Sequence, residues 1–213
     1  MPTPDLRPPT FPPPKTSRRA LRHAFLAQRA AMPNAARAAA DMALCSQLKQ
    51  YLLLHFDKHA VLTVAPSLSP IVALYHPHAY EPDLLALASD PALAHLRFAL
   101  PVVVGAGQPL RFAAWATGES LTAGAYGIPV PAYLAFIHPD VLVLPCVAFT
   151  VQAGAAYRLG YGGGFYDRTV AQLDMMATQT NPVPRTVGVA YRHAQAQFAP
   201  QAHERALDVM MCA

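Results

Sequence analysis

The stretch DVLVLPCVAFTVQAGAAYRLGYGGGFYDR, from Asp140 to Arg168, decides how this chain folds. Its opening, "DVLVLPCVAF", is an unbroken apolar run. Such a run without alternation reads as a strand covered on both faces, the habit of parallel sheets. Its end, "RLGYGGGFYDR" from Arg158 to Arg168, packs four glycines, three aromatics, an aspartate and two arginines into eleven residues. A helix is expected to follow from Gly164 to about Met176. Strand, glycine loop, helix is the grammar of α/β proteins, whose ligands collect at the carboxyl ends of the strands.

The rest of the chain fits that grammar. "IVALYH", "RFALPVVV", "LRFAAW", "RTVGVAY" and "ALDVMM" read as strands, as does "AVLTVA" at residues 60–65. A first helix is expected over residues 16–31, capped by Thr16 or Ser17. Asn34 is expected to cap a second, whose buried face is Met42, Cys45, Leu48, Leu52 and Phe56. "EPDLLALASDPALAHL" reads as helical with a break at Pro91. The fold class expected is a single-domain, three-layer α/β/α protein with a mostly parallel central sheet. The proline-rich residues 1–14 read as a disordered tail, and residues 15–213 as the ligand-binding domain.

Composition narrows the functions. With 213 residues, 54% hydrophobic and 13% charged, the chain can bury a sizeable core and is too apolar for a disordered protein. The net charge of +4 comes without long basic runs, so a small anionic ligand is a better match than a nucleic acid. Cys45, Cys146 and Cys212 stand far apart and read as reduced thiols of a cytoplasmic protein. The pairs His55/His59 and His76/His78 lack companion ligands, so zinc is not expected. No apolar run reaches the length of a membrane span, and the amino terminus lacks a secretory apolar segment.

The glycine loop satisfies neither standard phosphate motif. Phe165 stands where a dinucleotide fingerprint has its last glycine, and no Gly-Lys-Ser/Thr ends the loop. The physics of those motifs still applies. Glycines let backbone N–H groups approach a ligand, and a helix start favours phosphate. Arg158 can grip phosphate oxygens in a fork. Asp167 is a hard oxygen donor suited to Mg²⁺. Tyr161, Phe165 and Tyr166 can stack on a flat ring. The plainer alternative is a tight turn whose aromatics pack the core. Arg18, Arg22 and Arg29 fall within roughly 40° of one another around the first helix. That stripe is either a solvated basic face or a face turned to an anion.

Taken together, the motifs resemble the 5-formyltetrahydrofolate cyclo-ligase (methenyltetrahydrofolate synthetase) family. "RLGYGGGFYDR" matches that family's glycine loop throughout. "RRALR" with Arg29, "EPDL" at Glu81–Leu84, "ALPVVV", "YGIPVP", "DVLVLPCVAF" and "HERALD" resemble its other segments, in order, over about residues 16–211. The resemblance implies ATP- and Mg²⁺-dependent ring closure of 5-formyltetrahydrofolate to 5,10-methenyltetrahydrofolate, in one-carbon metabolism, by a monomer that binds small molecules and neither membrane nor nucleic acid. It assigns ATP binding to Arg18, Arg22, Arg158, Leu159, Gly160, Tyr161, Gly162, Gly163, Gly164, Phe165 and Tyr166. It assigns the folate to Glu81, Tyr126, Phe165 and Tyr166, catalysis to Arg158, Tyr166 and Asp167, and the metal to Asp167 and Glu204. This chain departs from the pattern at Thr150, Gly163, Leu84 and Glu204, and its approach "FTVQAGAAYR" is three residues longer. The turn before Arg158 must therefore be longer too. Two rival readings stand beside this one: a catalytically altered paralogue binding nucleotide or RNA in a regulatory role, and an α/β enzyme acting on a phosphosugar or CoA ester.

Overall fold

The computed structural model describes residues 17–56, 69–179 and 181–213. "AVLTVA" and the amino-terminal tail lie outside the described residues. The architecture is organised by one seven-stranded sheet. In chain order its strands are β1 (Ile71–Ala73), β2 (Arg97–Val103), β3 (Leu110–Ala114), β6 (Phe136–Ile137), β7 (Val141–Pro145), β10 (Arg185–Ala190) and β11 (Val209–Cys212). Their spatial order is β11-β10-β7-β1-β2-β3-β6. The pairs from β11 across to β2 are parallel, and β2–β3 and β3–β6 are antiparallel. A short hairpin of β4 (Leu121–Ala123) and β5 (Pro129–Pro131) and a longer one of β8 (Ala148–Gln152) and β9 (Ala155–Leu159) stand beside it.

Strand β7 sits near the middle of the sheet, and all five of its residues are buried. Alternate residues serve opposite layers, as the pleat dictates. Val141 and Val143 join Val72, Phe98, Val187 and Val189 under Leu44, Leu48 and Leu52 of helix α2 (Asn34–His55). Leu142 and Leu144 join Ala73 and Ala99 on the other face, under Phe165, Val170 and Leu173 of helix α3 (Phe165–Met175). Helices on both faces of a mostly parallel sheet are the three-layer α/β/α arrangement expected. Helix α1 (Arg18–Ala30) covers the β8–β9 hairpin, with Leu21 and Phe25 against Ala148, Phe149 and Leu159.

Four local expectations needed correction. "DVLVLPCVAF" is two strands, because the chain leaves the sheet after Pro145 and turns into β8; the apolar run continues because both pieces are buried. Asn34 is the first residue of α2, and Pro33 occupies the cap position with no side-chain cap bond. The buried face of α2 is Ala40, Leu44, Leu48 and Leu52, while Met42 is 74% exposed. Residues 85–93 form two 3₁₀ turns, Leu85–Ser89 and Pro91–Leu93, the second opened by the Asp90 carboxylate accepting from the Ala92 N–H. Ser17 caps α1 as expected, accepting from the Ala20 N–H at 3.2 Å.

Candidate active site

A cavity of about 450 Å³ opens at the carboxyl edge of the sheet. Tyr75 beyond β1, Pro101 and Val103 of β2, and Pro145 of β7 floor it. That size suits a small-molecule site. The Gly160–Gly164 loop forms one wall with Arg22, Arg158, Asp167 and Glu204. Glu81, Tyr126, His76 and His78 form the other, with Phe165 and Tyr166 between.

The loop is shaped by its glycines at two points. Gly164 stands at φ 65° as the residue that opens α3, a left-handed conformation that glycine adopts without cost. Gly162 has φ 98°, and a Cβ there would lie 3.2 Å from the Arg22 guanidinium carbon. The basic stripe is thus turned inward. Arg22 Nε donates to the Gly160 carbonyl at 2.7 Å. Arg29 is buried and donates to the Cys146 carbonyl at 2.5 Å and the Tyr161 hydroxyl at 2.9 Å.

The charges of this wall arrive in pairs. Arg158 donates to Asp167 Oδ1 at 2.6 Å. Asp167 lies in the first turn of α3, where the helix dipole favours a carboxylate. Arg18 grips Glu204 in a fork, at 2.5 and 2.7 Å. Both arginines and both carboxylates therefore have partners before any ligand arrives. Arg18 touches the cavity only through Glu204. Leu159 lies apart: its side chain is fully buried between the hairpin and Phe198.

The approach to Arg158 is a β-hairpin. "FTVQAGAAYR" forms most of the β8–β9 hairpin, with Phe149 opposite Arg158 and the turn at Ala153–Gly154. The turn projects at the exposed tip, while Arg158 lies in the paired base. Thr150 is buried within the ladder opposite Tyr157.

The other wall is built around Glu81, which is 5% exposed. Its Oε2 accepts from the His78 N–H at 2.9 Å, and its own N–H donates to the His78 carbonyl at 3.0 Å. Ala79 and Tyr80 between them both take positive φ, 48° and 61°, which draws the turn tight. Burial pushes the Glu81 carboxyl up from the usual range, against the opposing pull of His78, Tyr161 and Arg29. Burial likewise raises the Tyr166 and Tyr161 hydroxyls, with the Glu81 charge adding to it, so both remain proton donors at neutral pH. Tyr126, 67% exposed, meets Phe165 edge to face at 5.8 Å. Sequence reasoning missed Tyr75, whose hydroxyl donates to the Pro82 carbonyl at 2.7 Å, and the lining groups His76, His78 and His203. The "HPH" next to Glu81 was the signal for His76 and His78, the opening of "HERALD" was that for His203, and Tyr75 stood in a stretch read only as strand.

Fold and cavity define an α/β protein that offers an arginine-backed glycine loop and an acidic, aromatic wall to one pocket. The chain belongs to the 5-formyltetrahydrofolate cyclo-ligase family, whose sequence profile matches residues 14–212, and so is a cyclo-ligase in class. It is similar to the 5,10-methenyltetrahydrofolate synthetase of Aquifex aeolicus, at 26% identity and a TM-score of 0.65 over 92% of this chain and 89% of that one. It also shares the fold of the Mycoplasma pneumoniae 5,10-methenyltetrahydrofolate synthetase, at 20% identity and a TM-score of 0.64 over 92% and 98% of the two chains. No curated protein matches it significantly.

Proposed function

We propose that this chain converts 5-formyltetrahydrofolate to 5,10-methenyltetrahydrofolate with consumption of ATP and release of ADP and phosphate. The observation that carries the reading is the shared cavity, which gathers phosphate-type and pterin-type contacts around Phe165 and Tyr166. The formamide oxygen is a poor leaving group, so it must be activated. Transfer of the γ-phosphoryl to that oxygen leaves an N5 iminium phosphate. N10 then attacks the formyl carbon, the C–O bond breaks with its electron pair on departing phosphate, and N10 loses its proton.

The residues supply position and charge, which is most of what phosphoryl transfer needs. The Gly160–Gly164 N–H groups and the start of α3 receive phosphate, with Arg22 and Arg158. An arriving phosphate takes a share of the Arg158 fork now held by Asp167. Phe165 and Tyr126 flank the flat ring, and Glu81 accepts from its N–H groups. Arg18 serves the phosphates through the rearrangement of its pair with Glu204.

Asp167 and Glu204 are the oxygen donors that Mg²⁺ takes, and both line the cavity. Among the described residues no group of three or more His, Cys, Asp or Glu is gathered for a metal, and Asp167 and Glu204 would hold the ion together with oxygens of the nucleotide. Bound there, the ion would neutralise phosphate charge. We place the protein in the cytoplasm as a monomer; among the described residues no helix is long and apolar enough to cross a membrane.

The test is direct. Purified protein is incubated with 5-formyltetrahydrofolate, ATP and Mg²⁺, and the near-ultraviolet band of the methenyl product is followed. Product that depends on all three is expected. Folded protein that yields none overturns the proposal.

A further inference from the structure

Arg29 has no place among the ligand contacts above, yet it is the largest of the fully buried side chains, at 2% exposure. An arginine keeps its charge at any ordinary pH, so burial obliges it to have a countercharge. Its own hydrogen bonds do not provide one: the Cys146 carbonyl and the Tyr161 hydroxyl are both neutral. The carboxylate that answers it is Glu81, on the far wall of the cavity. Tyr161 links the two. Its oxygen accepts from Arg29, so its proton is free to be given away. It goes to the His78 carbonyl at 3.4 Å, and the His78 N–H in turn holds Glu81 Oε2 at 2.9 Å.

We propose that Arg29 is a positioning residue for substrate: its buried guanidinium is the countercharge of the Glu81 carboxylate, and through Tyr161 and the backbone of His78 it ties the glycine loop to that carboxylate. This rests on the proposed reading in that Glu81 is taken to meet the folate. The groups facing Glu81 are the His78 N–H, the Tyr161, Tyr75 and Tyr166 hydroxyls, and Arg29. The His76 and His78 imidazoles share this wall, and Arg29 is the one group among all of these that is cationic across the whole pH range. Without it, burial acts on Glu81 with less opposition, and the carboxylate takes up a proton at higher pH.

Two measurements test this. The first needs no ligand. A buried carboxyl whose folded pKa lies above its unfolded value is stabilising at low pH, and that contribution is lost as pH rises through the folded pKa. The thermal-stability deficit of R29M should therefore grow between pH 5 and pH 8, and adding E81Q should relieve it. A deficit equal at all pH values and untouched by E81Q would make Arg29 a packing and hydrogen-bonding residue only, and would overturn the inference. The second measurement is calorimetric titration with 5-formyltetrahydrofolate across the same range. The acid limit of binding should move up by about one to three pH units in R29M and stay near wild type in R29K. Y161F, whose side chain is partly exposed and less critical to folding, should move it the same way by less. Coincident limits in all four proteins would refute the inference. Wild type that binds no folate at any pH would sink the proposed substrate, while the ligand-free measurement still decides the charge pairing.

Discussion

The two walls of the cavity solve the same electrostatic problem differently. On the glycine-loop wall, Arg158–Asp167 and Arg18–Glu204 are direct ion pairs at the cavity edge. On the opposite wall, Glu81 and Arg29 are both buried, and Tyr161, which accepts from Arg29, donates to the His78 carbonyl beside Glu81. Direct pairs on the cavity lining can trade a carboxylate for an incoming phosphate, because phosphate oxygens offer a guanidinium the same charge-assisted bonds. A buried, hydrogen-bonded carboxylate cannot move without losing its bonds, so it suits a group that must recognise a fixed ring. One wall is arranged for exchange, and the other is set in advance.

Mutations that break this contrast should rank by how much reacting charge they touch. Asp167→Ala removes the carboxylate that holds Arg158, and turnover should fall by about 10²- to 10³-fold with the circular dichroism spectrum unchanged. Wild-type rates would take Asp167 out of the chemistry. Glu81→Gln keeps the shape but loses the charged acceptor. The KM for the folate should rise about ten- to a hundredfold while that for ATP changes little. Equal rises for both substrates would erase the distinction between the walls. Arg22→Ala should weaken ATP by about tenfold in direct titration, since it deletes one cation and frees the Gly160 carbonyl. Unchanged affinity would show Arg22 to be a brace for the loop alone. Gly163→Lys should tighten ATP least, by about two- to threefold, because an exposed cation adds little. A Cβ at that position would sit 3.1 Å from the Phe165 ring, so weakening would mean the ring cannot give way.

The layers of the fold were legible in "DVLVLPCVAF" and the helical spacings that surround it, because burial on both faces leaves a mark in composition. The bend after Pro145 was not legible, since both sides of it are apolar. Part of the site was legible in the sequence: Arg22, Glu81 and every residue from Arg158 to Asp167 except Leu159 line one cavity, while Arg18 stands behind Glu204. Their pairing was not. Arg18 and Glu204 lie 186 positions apart, and nothing in either neighbourhood points to the other. The stripe on α1 left two readings open because its neutralising groups come from the glycine loop, the β7–β8 corner and the carboxyl-terminal region, all remote in the chain.

The β8–β9 hairpin bears on how such a chain tolerates change. Its strands are joined by a two-residue turn at Ala153–Gly154, with Ala153 at φ 49° and Gly154 at φ 80°. That tip is exposed, while the paired base carries Arg158. A strand pair extended at its free end leaves its anchored end where it was. The tip is therefore a natural port for a fluorophore or an affinity handle, and the same geometry lets the chain vary in length there without re-aiming the arginine.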